Sequence, residues 1–218
     1  SQLRPRIHAP GALLPAASRT SFRISSFCFP RRSSVSRERP VADAMPETPP
    51  RAAANSAKPL PPYTSWATAA TNIQDAVDAA TVPGAVVLVS NGVYATGGRA
   101  PDSNHLTNRV ALDNPVALRS VNGPAVTVIQ GRSPAANQAV RCVYLAGGAF
   151  LSGFTLTNGA TRSPASWPLA EELIGGGVWC ESTNATVSNC VLVANSASSV
   201  GGGAFGGTLN NCTLSGNS

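Results

Sequence analysis

The sequence predicts an all-β fold, a parallel β-helix or solenoid entered through a short helical cap, over residues 55–218. Three observations predict it. Short β-branched runs separated by Gly and Asn fill the second half of the chain, one eight-residue pattern returns at a fixed spacing, and one amphipathic helical segment precedes the first run.

The leader is set apart by composition. Of 18 prolines, 11 lie at or before Pro62. Residues 1–60 hold nine arginines and Lys58 against Glu38, Asp43 and Glu47, a balance of +7, so the +6 of the whole chain leaves −1 for residues 61–218. The sequence pI near 9.6 therefore reflects the leader. A nucleic-acid-binding role needs a basic face on the folded module, and the charge lies elsewhere. Residues 1–37 lack acids and are rich in Ser and Arg, as an organellar transit peptide is, and Arg31-Arg32 suits a twin-arginine signal, but no apolar stretch follows it. Residues 1–54 are read as a disordered or non-native leader, with Met45 near its end.

Order begins after Pro59, Pro61 and Pro62. Thr71 and Gln74 have capping-box spacing, and Ile73, Ala76, Val77 and Ala80 recur at helical intervals before Pro83-Gly84 stops them, which predicts a helix over about 71–80. Ala85 to Val89 reads as a first strand, Asn91-Gly92 as a turn and Val93-Tyr94 as its continuation. Ala95 to Val110 reads as a loop. Further strands are expected at 116–121, 126–129, 141–145, 149–157, 178–180, 185–187, 190–193, 203–205 and 208–214.

Repetition selects a solenoid over a sandwich or barrel. Asn189-Cys190-Val191-Leu192-Val193-Ala194-Asn195-Ser196 returns as Asn211-Cys212-Thr213-Leu214-Ser215-Gly216-Asn217-Ser218, a shift of 22 residues from Cys190 to Cys212, and Gly153-Phe154-Thr155-Leu156 is an earlier copy. Stacked coils place equivalent side chains in columns. The expected columns are Phe154, Cys190, Cys212; Leu156, Leu192, Leu214; and Cys142, Cys180 continued by Gly206. Asn195 over Asn217 suits a turn ladder in the left-handed conformation, and the glycine triplets 175–177 and 201–203 suit tight corners. The helix would cover the open end of the apolar column.

These motifs carry a resemblance. The segment from Tyr63-Thr64-Ser65-Trp66 through Asn72-Ile73-Gln74-Asp75-Ala76-Val77, with Asn91-Gly92-Val93-Tyr94, Arg119-Ser120-Val121-Asn122-Gly123-Pro124, Val128-Ile129-Gln130-Gly131 and the Gly-Gly-Gly and Asn-Cys-Thr-Leu-Ser-Gly-Asn-Ser copies, resembles secreted right-handed β-helix repeat proteins of the pectin-lyase-like superfamily. It is similar above all to large proteins of environmental bacteria of the Verrucomicrobia and Lentisphaerae type. The resemblance implies a right-handed parallel β-helix, a secreted or cell-envelope location, and further coils beyond Ser218, the chain being cut off at its C-terminal side.

Enzymes of that fold acting on acidic polysaccharides need clustered carboxylates, to hold Ca²⁺ beside a base or to serve as an acid/base pair. After Asp113 the only acids are Glu171, Glu172 and Glu181, so no catalytic residue is nominated. The best candidate binding element is the insertion from Ala160 to Ile174, where Trp167 could stack on a sugar face and Glu171 and Glu172 could hold hydroxyls or a cation; the alternative is that Trp167 packs on the solenoid wall and the glutamates are solvated. The loop with Arg99, Asp102, His105 and Arg109 offers an Asp102–His105 pair, or a merely exposed histidine. Five cysteines form no zinc pattern; stacked cysteines suit a reduced apolar column better than disulfides, and Cys28 stands alone. Asn184-Ala185-Thr186 and Asn211-Cys212-Thr213 match the glycosylation sequon, the second with its cysteine at an interior position.

The expected function is a non-catalytic secreted or cell-surface scaffold, structural, adhesive or glycan-binding, with a polysaccharide or surface glycan as partner and neither cofactor, metal nor nucleic acid. The alternatives are a polysaccharide lyase or glycoside hydrolase with its active site on other coils, and an autotransporter passenger, because Gly-Gly-Gly-Val and Gly-Gly-Gly-Ala are similar to repeats of chlamydial surface proteins. No run approaches the ~20 apolar residues of a membrane helix.

Overall fold

In the computed structural model the described residues are 48–101, 105–133, 138–164 and 169–218. Most of the expected leader, Cys28, Asp102 and Trp167 lie outside them.

Fifteen strands are found among the described residues: β1 Arg51–Ala52, β2 Val86–Val89, β3 Gly92–Tyr94, β4 Thr107–Leu112, β5 Ala117–Ser120, β6 Thr127–Gln130, β7 Val140–Leu145, β8 Phe150–Ser152, β9 Thr155–Thr157, β10 Val178–Cys180, β11 Thr186–Ser188, β12 Val191–Val193, β13 Ala204–Phe205, β14 Thr208–Asn210 and β15 Thr213–Ser215. One α-helix, α1, spans Ile73–Asp78. Every named strand pairing is parallel and joins strands about one coil apart. The result is three sheets, A (β1-β2-β5-β8-β11-β14), B (β3-β6-β9-β12-β15) and C (β4-β7-β10-β13), wound as a parallel β-solenoid of about four turns.

Register explains the residues. Inside sheet A, Val87, Leu118, Leu151, Val187 and Leu209 stack; inside sheet B, Tyr94, Ile129, Leu156, Leu192 and Leu214; inside sheet C, Val110, Val143, Val178 and Ala204. The three columns meet in one core, and residues flanking them along each strand turn outward. The expected Leu156, Leu192, Leu214 column is present, and so is that of Phe154, Cys190 and Cys212. The column joining Cys142 to Cys180 is not: Cys180 stacks on Leu145, because Val178 pairs with Val143. Its continuation over Gly206 stands, since Trp179 pairs with Phe205.

The turns differ in length. Thr186 to Thr208 is one coil of 22 residues, as the repeat predicts, but the equivalent steps Val86 to Ala117, Ala117 to Phe150 and Phe150 to Thr186 take 31, 33 and 36. The A-to-B corner is two residues in most coils, with Gly153, Asn189 and Asn211 at φ of 83°, 51° and 50° turning the chain. After β2 the longest connections, 95–106, 131–139, 158–177 and 194–203, all leave at the B-to-C corner. There Asn195 donates to Asn217 across the coil (3.0 Å), accepts from the Gly159 N–H (2.8 Å) and donates to the Leu156 carbonyl (2.9 Å). The left-handed residues sit one position earlier than expected, at Asn158, Ala194 and Gly216, so the asparagines are free to serve as side-chain links. In the glycine triplets only Gly175 and Gly201 are left-handed; the middle glycines are needed for close approach, a Cβ on Gly176 falling 2.2 Å from the Ser196 carbonyl oxygen.

The N-terminal end is closed by two devices. In sheet A, β1 pairs with β2, so Arg51–Ala52, which fall within the expected leader, belong to the solenoid. In sheet C the edge strand β4 is met by α1, whose Ile73, Ala76 and Val77 enter the core. The cap is Asn72, accepting from the Asp75 N–H (2.9 Å), in place of the expected Thr71–Gln74 box. Gln74 is instead buried: it accepts from the Ala111 N–H (2.8 Å) and donates to the Ala111 carbonyl (3.2 Å), one side chain standing in for a missing strand. Leu214, the member of the sheet B column farthest from α1, is 48% exposed.

Two stability tests follow from this packing. Gln74→Ala leaves both peptide groups of Ala111 without partners at a buried edge, so urea unfolding should show a loss of about 2–4 kcal/mol. Burial pushes the Cys180 thiol up to about 12, from an ordinary value of 9.0. The unfolded chain ionises first as pH rises, so the stability this thiol contributes is complete below pH 9 and is lost as pH climbs toward 12. The fall in stability between pH 9 and 11 should be shallower in Cys180→Ala, by up to about 1.4 kcal/mol per pH unit.

Candidate functional site

The insertion 158–177 is the longest excursion from the solenoid, and its docking is governed by a residue that gave no functional signal, Arg141 of β7. This arginine is 0% exposed. Its Nε donates to the Gly175 carbonyl (2.8 Å), Nη1 to Asn108 Oδ1 (2.9 Å), and Nη2 to the carbonyls of Glu171 (2.7 Å) and Ile174 (2.8 Å). The guanidinium also lies 5.2 Å from the ring centroid of Trp179. Burial lowers its pKa to about 9 while Glu172 opposes the shift, so it carries its charge at neutral pH. A planar fork with several donors suits this task, gathering carbonyls from the end of a short 3-10 turn, Ala170–Glu172, that would otherwise face the sheet unpaired.

Glu172 completes the clasp. It is 1% exposed, accepts from the His105 N–H (2.6 Å) and pairs with Arg162 Nη1 (3.3 Å). The Arg162 N–H donates in turn to the Glu172 carbonyl (3.0 Å). Of the candidate binding residues, Glu172 is thus neither solvated nor available to a ligand, its carboxylate being turned inward. The Glu171 side chain is exposed while its carbonyl is held by Arg141. Trp167, the third candidate, lies outside the described residues.

The insertion is also tied to the next loop. Ser198 N–H donates to Thr161 Oγ1 (2.7 Å), Ser198 Oγ to the Arg162 carbonyl (2.6 Å) and Ser199 N–H to the Leu173 carbonyl (3.0 Å). Beneath it a second apolar cluster, separate from the core, unites Ala111, Tyr144, Ala146 and Trp179 with Ile174 of the insertion. Register runs this column as Ala111, Tyr144, Trp179 and Phe205 across sheet C. Tyr144 and Trp179 rings are 5.0 Å apart and tilted by 45°. Tyr144 donates to Glu181 Oε2 (2.8 Å), and burial followed by that carboxylate raises its pKa. Phe205, the last member, is 38% exposed.

The loop 95–106 is distributed over structural roles. Arg99 bridges Asp78 (2.9 Å) and Asp113. Arg109 donates to the Gln130 carbonyl (2.8 Å) and to that of Gly97. His105 is exposed, contributing its backbone N–H to Glu172, and its expected partner Asp102 lies outside the described residues. The end of the expected loop is strand: Thr107–Leu112 form β4. Among the described residues no three His, Cys, Asp or Glu side chains gather as a metal set, and no helix is long and apolar enough to cross a membrane.

Comparison with protein-family models, with curated proteins and with solved structures finds no match to this chain.

Arg141→Met removes the clasp, leaving the carbonyls of Glu171, Ile174 and Gly175 and Asn108 Oδ1 without this donor and Glu172 without its buried countercharge. A loss of about 3–5 kcal/mol in chemical unfolding is expected. Limited proteolysis should move its first cut into 160–174, and Arg141→Lys, a point charge in place of a fork, should not restore resistance.

Proposed function

We propose that this protein is a non-catalytic scaffold, secreted or displayed at the cell surface, that binds polysaccharide along the outer face of sheet C. The observation that carries the reading is Phe205, 38% exposed at the end of a column whose other rings, Tyr144 and Trp179, are buried beneath the insertion and fix its position. An exposed aromatic face can stack on a sugar ring, and Phe205 is held in place by the buried rings it stacks upon. Glu171 on the insertion supplies an exposed carboxylate.

The carboxylates support a binding role over a catalytic one. Asp78 and Asp113 are held by Arg99, Glu172 by Arg162, Glu181 by Tyr144 and Asp75 by Asn72. Groups committed to such partners are poorly placed to move protons on a substrate. The motif resemblance supports placing the solenoid among right-handed β-helices of the pectin-lyase-like superfamily, with relatives in environmental bacteria, and the surface location rests on that resemblance.

A glycan array probed with the 218-residue chain should show retention on polysaccharides over monosaccharides, weakened several-fold by Phe205→Ala with the fold intact by circular dichroism. Release of unsaturated uronate or of reducing ends from any arrayed polysaccharide would replace this reading with the lyase or hydrolase one.

A further inference from the structure

The interior of the solenoid holds a pair of thiols whose spacing is set by the backbone. Cys190 and Cys212 follow the left-handed corner residues Asn189 and Asn211 in successive coils. The flanking pairs Ser188 with Asn210 and Val191 with Thr213 fix them opposite one another. Their side chains are set in the same way. Cys190 Sγ donates to the carbonyl of Ser188 (3.2 Å), and Cys212 Sγ to that of Asn210 (3.4 Å), the residue two positions back in each case. Cys212 Sγ also reaches the Val187 carbonyl in the preceding coil (3.5 Å), so the two sulfurs are related approximately by the coil translation, about 4.8 Å between neighbouring strands.

That separation decides what the pair can do. A disulfide needs the sulfurs at about 2.05 Å and the Cβ atoms within about 4.5 Å, which an in-register parallel pair with side chains pointing the same way does not offer. An ion held linearly between two thiolates needs them about two metal–sulfur bonds apart, at most roughly 4.6 Å taking the ~2.3 Å of a zinc–thiolate bond as the upper bound and less for a two-coordinate Cu(I) ion. The coil spacing comes far closer to the second requirement than to the first, a small inward movement of the two side chains making up the difference. Both cysteines are reduced, Cys190 buried and Cys212 half-buried. Below it the column continues as Phe154, whose N–H points at Cys190 Sγ (3.5 Å), a donor suited to a sulfur bearing negative charge.

We propose that Cys190 and Cys212 form a two-coordinate site for a soft monovalent metal ion of the Cu(I) class. Soft thiolates select such an ion over harder divalent ones, and two ligands suffice where a divalent structural site takes four. Binding replaces two S–H bonds with two metal–sulfur bonds and releases both protons to solvent, with no change of oxidation state. The ion braces the last coil against the one before it. Burial holds the Cys190 thiol up at about 11, with Cys212 adding to the rise, so binding strengthens as pH increases.

The test is an anaerobic titration of the reduced 218-residue chain with Cu(I) against a chromophoric Cu(I) chelator. One ion per chain is expected in the native protein and in Cys180→Ala, whose thiol stacks on Leu145 and Gly206 and has no thiol above or below it. Binding should be lost in Cys190→Ala and in Cys212→Ala. Should the first variant fail to fold, the second, on the half-buried last coil, decides alone. X-ray absorption of the loaded protein should show two sulfur neighbours in a linear arrangement. Absence of binding to the native chain, retention of binding in Cys212→Ala, a three-sulfur environment, or ready formation of a 190–212 disulfide in a glutathione redox buffer would each overturn the proposal.

Discussion

The constraint on which this structure depends is in-register parallel stacking, which requires each side chain to be compatible with a near-copy of its surroundings about 4.8 Å above and below. Apolar residues satisfy it by forming continuous columns, as Tyr94, Ile129, Leu156, Leu192 and Leu214 do. Polar ones satisfy it when each can donate to the next and accept from the last, which is how Asn217, Asn195 and the Gly159 peptide are linked. Like charges cannot, since a charged column repels itself, and sheet B accordingly holds no Asp, Glu, Lys or Arg in any of its strands.

Charge enters the interior where the stack is interrupted. Arg141 occupies a strand whose next coil carries no equivalent side chain, since the register sets Gly176 and Gly177 of the insertion over that part of β7. The vacated volume is filled by backbone carbonyls that the guanidinium gathers, with Glu172 as the countercharge. The insertion is thereby an extension of the packed structure at its base, while Glu171 remains outside. The candidate binding face and the fold share this anchor, so the aromatic column beneath the insertion is positioned by the same interaction that orders the loop.

Much of the architecture was legible because stacking writes itself into sequence as repetition. The Leu156, Leu192, Leu214 column, the strand at Val178–Cys180 and the Asn195–Asn217 link could be read from one eight-residue pattern and its copies. What escaped has physical reasons. The strand β4 begins Thr107-Asn108-Arg109, polar residues that look like loop because partners such as the carbonyls of Arg99 and Gln130 come from elsewhere in the chain. The strand β1 exists only because β2 presents an open edge to a proline-rich segment with no strand signal of its own. Gln74 sits where a capping residue would, yet its amide is spent on Ala111, 37 residues away. The Cys142–Cys180 column was misread because Arg141-Cys142-Val143 and Val178-Trp179-Cys180 look alike when aligned on cysteine, whereas the valines align them in space. Arg141 left one signal that could have found it, a single charge inside an otherwise apolar six-residue strand.

The unequal corners of the coil have a consequence for how such a protein changes. Where the A-to-B corner turns within two residues through Gly153, Asn189 or Asn211, an added residue would disturb the register of the strand that follows; the coil with 121–126 at this corner is the exception among the described residues. The B-to-C corner already holds connections of very different length without disturbing register on either side, and lengthening a surface loop costs only logarithmically in chain entropy. Among the described residues the widest variation in loop length therefore lies along one longitudinal edge, where each coil can present a different loop over an unchanging frame. In engineering terms the solenoid is a rack with one row of slots, and peptides grafted into 95–106, 131–139 or 194–203 would be displayed at intervals of one coil.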